Sequence, residues 1–195
     1  MIIGITGRSG AGKSYVSEII AKKLDLVHLD IDKISHEILT FPETIAFLQA
    51  EFGNQIFENN QLQRKKLGQI VFNNPDQLKK LNDFCQTQIE KRLDEIITNT
   101  KKSIILDYAL LCKLKQFQSC DIKILLNADF DTRFSRVAKR ENITRAYFQS
   151  RDNSLETFEN IKFDYIFNNI NSQEIEQLIY NLEFKKEQLW LENPQ

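Results

Sequence analysis

Hydrophobic positions along the chain repeat at two spacings. Residues 2–6, IIGIT, form a short β-branched apolar run of a length that suits a buried strand. Beyond it Val16, Ile19, Ile20 and Leu24 recur three and four residues apart, which predicts a helix over 13–24. A short strand is expected at 26–29, then helical segments at about 31–40, 42–52 and 62–73. Pro75 suits a first helical turn, and Leu78, Leu81, Phe84, Ile89, Leu93, Ile96 and Ile97 carry that helix to about 98. Apolar runs predict further strands at 103–106, 122–127 and 165–167. Helices are expected over 129–140 and about 172–191, with an arginine-rich stretch reaching to about 153.

Strands separated by helical crossovers point to an α/β fold, a five-stranded parallel sheet flanked by helices. The stretch 42–98 holds no convincing strand and reads as a helical insertion between two sheet strands. The whole of 1–195 is expected to be one domain, with 42–98 inserted in it.

Composition narrows the function classes. A chain of 195 residues with 42% hydrophobic content can bury a sizeable core. The net charge of −1 carries no basic excess, which argues against nucleic acid as the main partner. No apolar run approaches a membrane span, and the N-terminus lacks the basic lead-in of a signal peptide. Cys85, Cys112 and Cys120 have no metal-site spacing and read as reduced thiols of a cytoplasmic protein. His28 and His36 are too few for a histidine metal site, and His28 reads as structural.

Between the first strand and the first helix lies GRSGAGKS, residues 7–14, which fits G-x-x-x-x-G-K-[ST]. Glycines let the backbone curl into a nest of N–H groups, and the helix that follows offers a partially positive end to an anion. Gly10, Ala11, Gly12, Lys13, Ser14 and Tyr15 are the candidate nucleotide-phosphate residues. Lys13 would reach the β- and γ-phosphates, and the Ser14 hydroxyl would meet Mg²⁺. The stretch reads as a P-loop, with ATP and Mg²⁺ as the expected cofactors.

Three acids sit at strand ends, where ligands bind in open α/β sheets. Asp30 and Asp32 follow the second strand; either suits a helix cap, and Asp32 is the candidate that faces the acceptor. Asp107 ends the apolar run 103–106, as a Walker-B acid holding Mg²⁺ would. Arg133, Arg136, Arg140, Arg145 and Arg151 form either a solvated basic face or a lid over 133–153 that closes on the transferring phosphoryl group, with two or three of them on phosphate or base.

Together GITGRSGAGKS at 4–14, LDID at 29–32, LQRKKLGQIVFNNPDQLKKL at 62–81, ILDYALL at 105–111 and DYIFNN at 164–169 resemble the dephospho-coenzyme A kinase family. The resemblance reaches to about Asn169 and implies a P-loop kinase core with a helical insertion and a lid, and transfer of the ATP γ-phosphate to the ribose 3′-hydroxyl of dephospho-CoA, the last step of coenzyme A synthesis. It implies Asp32 as general base, Lys13 and Arg140 in catalysis, and Ser14 and Asp107 on the metal. Arg64, Asp107 and Leu110 then belong to the acceptor side and Asn169 to the adenine side; the insertion 42–98 binds the acceptor. A monomer or weak homo-oligomer is expected. The chain departs from the family pattern at Arg8 (usually Gly), at Ala109 and Lys113 (Pro and an acid), at Gln86-Thr87 (His-Pro) and at Leu155 (Gln). The ATP half is thus closer to the pattern than the acceptor half. Kinases of other small acceptors, nucleosides or nucleotides, and a non-catalytic nucleotide-binding protein stay open on these residues.

Overall fold

The apolar run at the start forms β1, Ile2–Thr6, the central strand of a five-stranded sheet. The computed structural model describes residues 1–59, 61–71, 73–153 and 158–192. They divide into two compact units, Met1–Asp30 with Thr100–Gln195, and Ile31–Asn99.

In the first unit β1 leads through the glycine-rich loop into α1, Lys13–Leu24, and then β2, Val27–Asp30. The second unit follows. It contains α2 (Ile31–Glu37), α3 (Pro42–Phe52), the two-residue strands β3 (Phe57–Glu58) and β4 (Gln61–Leu62), α4 (Arg64–Val71) and α5 (Pro75–Asn99). The chain returns to the first unit with β5 (Ile104–Asp107), β6 (Ile122–Asn127), α6 (Phe130–Glu141), α7 (Arg145–Asn153), β7 (Tyr165–Asn168) and α8 (Ser172–Glu192).

The sheet order is β2-β5-β1-β6-β7, every pairing parallel. Strands covered on both faces need apolar side chains, which is why Ile104, Ile105 and Leu106 of β5 are buried and read as an apolar run, ended by the buried Asp107. On one face Ile3, Ile5, Ile105 and Ile124 pack with Val16 and Ile20 of α1 and with Ile175, Leu178 and Leu182 of α8. Asn171 and Glu174 cap α8 reciprocally, each side chain accepting from the other's backbone N–H at 3.0 and 2.9 Å.

The second unit has its own core of Leu48, Phe52, Ile56, Leu67 and Val71. The rings of Phe47 and Phe84 stack at 3.8 Å. Asn74 starts α5 by accepting from the N–H groups of Asp76 and Gln77 at 3.1 and 3.2 Å, with Pro75 filling the position that needs no donor.

Local differences from the sequence reading have local causes. The segment 31–40 ends as a 3₁₀ turn, Ile38–Thr40, ahead of Pro42. The stretch 42–98 does contain a hairpin, Phe57 opposite Leu62 and Glu58 opposite Gln61, too short for alternation to show. The arginine-rich stretch is two helices, broken where Asn142 takes a left-handed φ of 50°. Leu155 and Phe72 lie outside the described residues. Among the described residues no helix is long and apolar enough to cross a membrane.

Candidate functional site

The site of the first unit grows from the C-terminal ends of β1 and β5. Past β1 the backbone turns through Gly10 at φ 83° and Gly12 at φ 97°, values that favour residues without a Cβ. Ala11 N–H bonds back to the Arg8 carbonyl at 3.1 Å and closes the turn. The ladder of α1 starts with Val16 N–H to the Gly12 carbonyl at 3.1 Å, so the turn ahead of it presents backbone N–H groups outside that ladder. No side chain caps α1 and its first turn holds no acid, which leaves the positive helix end open to an anion. Lys13 opens the helix, Ser14 and Tyr15 follow on its exposed side, and Ala11 is buried beneath the loop.

Asp107 ends β5 and pairs in register with Ile5 of β1 and with Asp30 of β2. Side chains two apart share a sheet face, so Asp107 projects to the same side as Ile105, the side that α1 covers. Its carboxylate is only 3% exposed, and His28 Nε2 lies 3.3 Å from its Oδ2. The loop past β5 is tied to β1: Tyr108 N–H donates to the Ile5 carbonyl at 3.2 Å and Thr6 Oγ1 to the Ala109 carbonyl at 3.2 Å. Leu110, half-buried, follows. Burial pushes the Cys112 thiol up, and that of Cys120 to about 12, so both stay protonated near neutral pH.

A hydroxyl at Ser14 and a carboxylate at Asp107 are hard oxygen donors, the set that suits Mg²⁺ shared with substrate phosphates. Among the described residues no cluster of three or more His, Cys, Asp or Glu side chains forms an all-protein cage, which a shared ion of this kind does not need.

The arginines do not act as one face. Arg136 Nη1 donates to the Gly10 carbonyl at 3.0 Å, and Arg151 Nη2 to Ser9 Oγ at 2.7 Å. Arg133 is buried in a two-pronged ion pair with Asp152, at 2.6 and 2.8 Å. Arg140 pairs with the neighbouring Glu141, and Arg145 lies over the Phe130 and Phe134 rings while pairing with Asp131. Arg8 Nη1 donates to the Asp152 carbonyl at 2.7 Å. Asp129 caps α6, accepting from Thr132 N–H and Oγ1 at 2.8 and 2.7 Å, and Asn169 Nδ2 reaches the same carboxylate at 3.2 Å.

The structure therefore gathers Gly10, Ala11, Gly12, Lys13, Ser14, Tyr15, Asp107 and Leu110 around two adjacent strand ends, with Arg136 and Arg151 on the loop. Arg140 and Asn169 belong to the same unit, on α6 and just past β7. Asp32, exposed in the first turn of α2, and Arg64, exposed at the start of α4, belong to the Ile31–Asn99 unit. There Gln86 donates to Glu90 and Thr87 to the Asp83 carbonyl, both within α5. Sequence reasoning missed two features, His28 beside Asp107 and the Arg8–Asp152 contact. Neither has a local signal, because the partners are 79 and 144 residues apart.

Comparison with known proteins places the chain in a family. The family model described as dephospho-CoA kinase matches residues 1–174. The dephospho-CoA kinase of Fusobacterium nucleatum is 35% identical over 147 residues, 74% of this chain and 76% of that protein. A solved structure from Thermus thermophilus superposes with a TM-score of 0.80 at 23% identity, covering 95% of this chain and 97% of that one. The dephospho-CoA kinase from Campylobacter jejuni superposes with a TM-score of 0.67 at 24% identity, covering 95% and 98%. These two likenesses establish the fold.

Proposed function

The chain belongs to the dephospho-CoA kinase family and is an ATP-dependent kinase of dephospho-CoA in coenzyme A biosynthesis, and we propose how its residues divide that work. The observation that carries the reading is the uncapped start of α1 beside the buried Asp107, with β1 and β5 in register between them.

The triphosphate of ATP lies on the loop 7–14, where backbone N–H groups and the helix end match its charge. Lys13 holds the β- and γ-phosphates. Ser14 and Asp107 hold Mg²⁺, which when bound neutralises charge on those phosphates. Arg136 and Arg151, already on the loop, and Arg140 further along α6 stabilise the charge of the phosphoryl group in flight, with 133–153 as the lid. Asn169 flanks the adenine. In the helical unit, Arg64 binds the acceptor and Asp32 takes the proton of the ribose 3′-hydroxyl as it attacks the γ-phosphorus in line. Leu110 lines the acceptor side. The enzyme works in the cytoplasm, as a monomer or a weakly associating one, without a nucleic-acid partner.

The test is ADP release from ATP and Mg²⁺ with dephospho-CoA, beside wells of adenosine, deoxynucleosides and nucleoside monophosphates, with Lys13→Ala as the blank. Rapid release with dephospho-CoA alone is the expected result. Release with another acceptor instead would mean that Gln86, Ala109 and Lys113 mark a changed acceptor site.

A further inference from the structure

Three consecutive residues of the phosphate loop are each bonded to α6 or α7. Arg8 Nη1 donates to the Asp152 carbonyl at 2.7 Å and lies 3.3 Å from its Oδ2. Ser9 Oγ accepts from Arg151 at 2.7 Å, and the Gly10 carbonyl accepts from Arg136 at 3.0 Å. The anchor beneath them is buried. Asp152 is 7% exposed and takes both prongs of Arg133, itself 6% exposed. The Arg133 guanidinium also rests on the rings of Phe130 and Phe148 at 5.8 and 5.7 Å, and its Nε donates to the Ala128 carbonyl at 3.0 Å. The Arg133 backbone closes against the loop: a Cβ on Gly10 would stand 2.6 Å from its carbonyl oxygen. One carboxylate thus serves two guanidinium groups, one from the loop and one from α6, and a fork-shaped donor suits a carbonyl and a carboxylate oxygen taken together.

We propose that Arg8 is a positioning residue: by gripping Asp152 it docks α7 on the phosphate loop before nucleotide arrives, and so sets Arg151 beside the phosphates. It rests on the reading of the loop as the ATP site. Arg8 spends its guanidinium on α7 and makes no phosphate contact of its own. The lid is preorganised, and its ordering cost is met in the free protein rather than on binding. Arg8 is the safest residue to remove, because the buried Arg133–Asp152 pair stays complete without it.

Two measurements test this. Hydrogen–deuterium exchange of the free protein needs no ligand: Arg8→Ala is expected to speed exchange over 145–153 while the sheet strands keep their protection. Unchanged exchange there overturns the proposal. The second is a double-mutant cycle of Arg8→Ala and Arg151→Ala, read as kcat/KM for ATP with dephospho-CoA. Arg8→Ala alone is expected to cost about tenfold or more, and Arg151→Ala less than about twofold further once Arg8 is gone. Multiplied losses, or a fully active Arg8→Lys, would make Arg8 an independent phosphate cation and overturn it. Wild-type enzyme without turnover on dephospho-CoA would instead count against the acceptor assignment, while the exchange result would still decide the role of Arg8.

Discussion

His28 Nε2 stands 3.3 Å from Asp107 Oδ2, and the two side chains come from neighbouring parallel strands whose register pairs His28 with Ile105 and Asp30 with Asp107. His28 and Asp30 therefore share the sheet face from which Asp107 projects. A carboxylate that holds a metal needs its second oxygen oriented, and partners of this kind typically contribute tenfold to a hundredfold to metal affinity or activity. His28→Ala is expected to raise the Mg²⁺ concentration for half-maximal ADP release by about tenfold. A Mg²⁺ titration of both proteins checks it, and an unmoved midpoint would return His28 to a packing role.

Asp32 sits in the first turn of α2, exposed, with its carbonyl accepting from Ser35 Oγ at 2.7 Å. A base acting on the acceptor hydroxyl contributes to the chemical step and not to nucleotide binding. Asp32→Asn is expected to cut turnover at least about a hundredfold while ATP affinity stays within about twofold. Single-turnover kinetics and calorimetric ATP binding separate the two. Turnover within a few-fold of wild type would remove Asp32 from the base role.

The sheet was legible because parallel strands covered on both faces are mostly apolar, so 2–5, 104–106 and 124–126 stand out as short runs. The phosphate loop was legible because its chemistry is local, eight consecutive residues between a strand and a helix. What decides the rest is register and long-range pairing. Nothing around His28 indicates that a neighbouring strand will deliver Asp107 to it. Arg133, Arg136 and Arg140 have the spacing of one helix face, yet the first is buried on Asp152, the second bonds the loop and the third stays exposed. Spacing fixes which way a side chain leaves the helix; only the packed partner tells a buried ion pair from a solvated charge.

Gly10 and Gly12 both adopt positive φ, but their surroundings differ. A Cβ at Gly10 would lie 2.6 and 2.8 Å from the Arg133 carbonyl oxygen and Cα, whereas at Gly12 the nearest atom, Arg136 Nη1, is 3.7 Å away. Gly12→Ala bears only the backbone strain, about 1–3 kcal/mol. Gly10→Ala adds a backbone clash that no rotamer relieves, so it is expected to lower Tm further and to abolish ATP binding. Thermal unfolding of the two variants side by side checks the order, and equal losses would show that α6 yields.

Asp129 carries the clearest pH signature. Its carboxyl is pulled from an ordinary 3.8 down to about 2, chiefly by the Thr132 hydroxyl and backbone N–H, with a smaller share from the Asn169 amide. A carboxyl depressed in the folded state stabilises above its unfolded pKa and loses that contribution as pH falls through the folded value. The contribution is therefore complete at neutral pH and drains away between about 4 and 2. Asp129→Asn keeps one oxygen to cap α6 but loses the charge at the helix start and one of the acceptors. It is expected to melt below wild type at pH 7, with the gap narrowing as the pH approaches 2. Thermal unfolding from pH 7 to 2.5 measures it, and a gap that stays constant over that range would mean that the Asp129 charge does not stabilise α6.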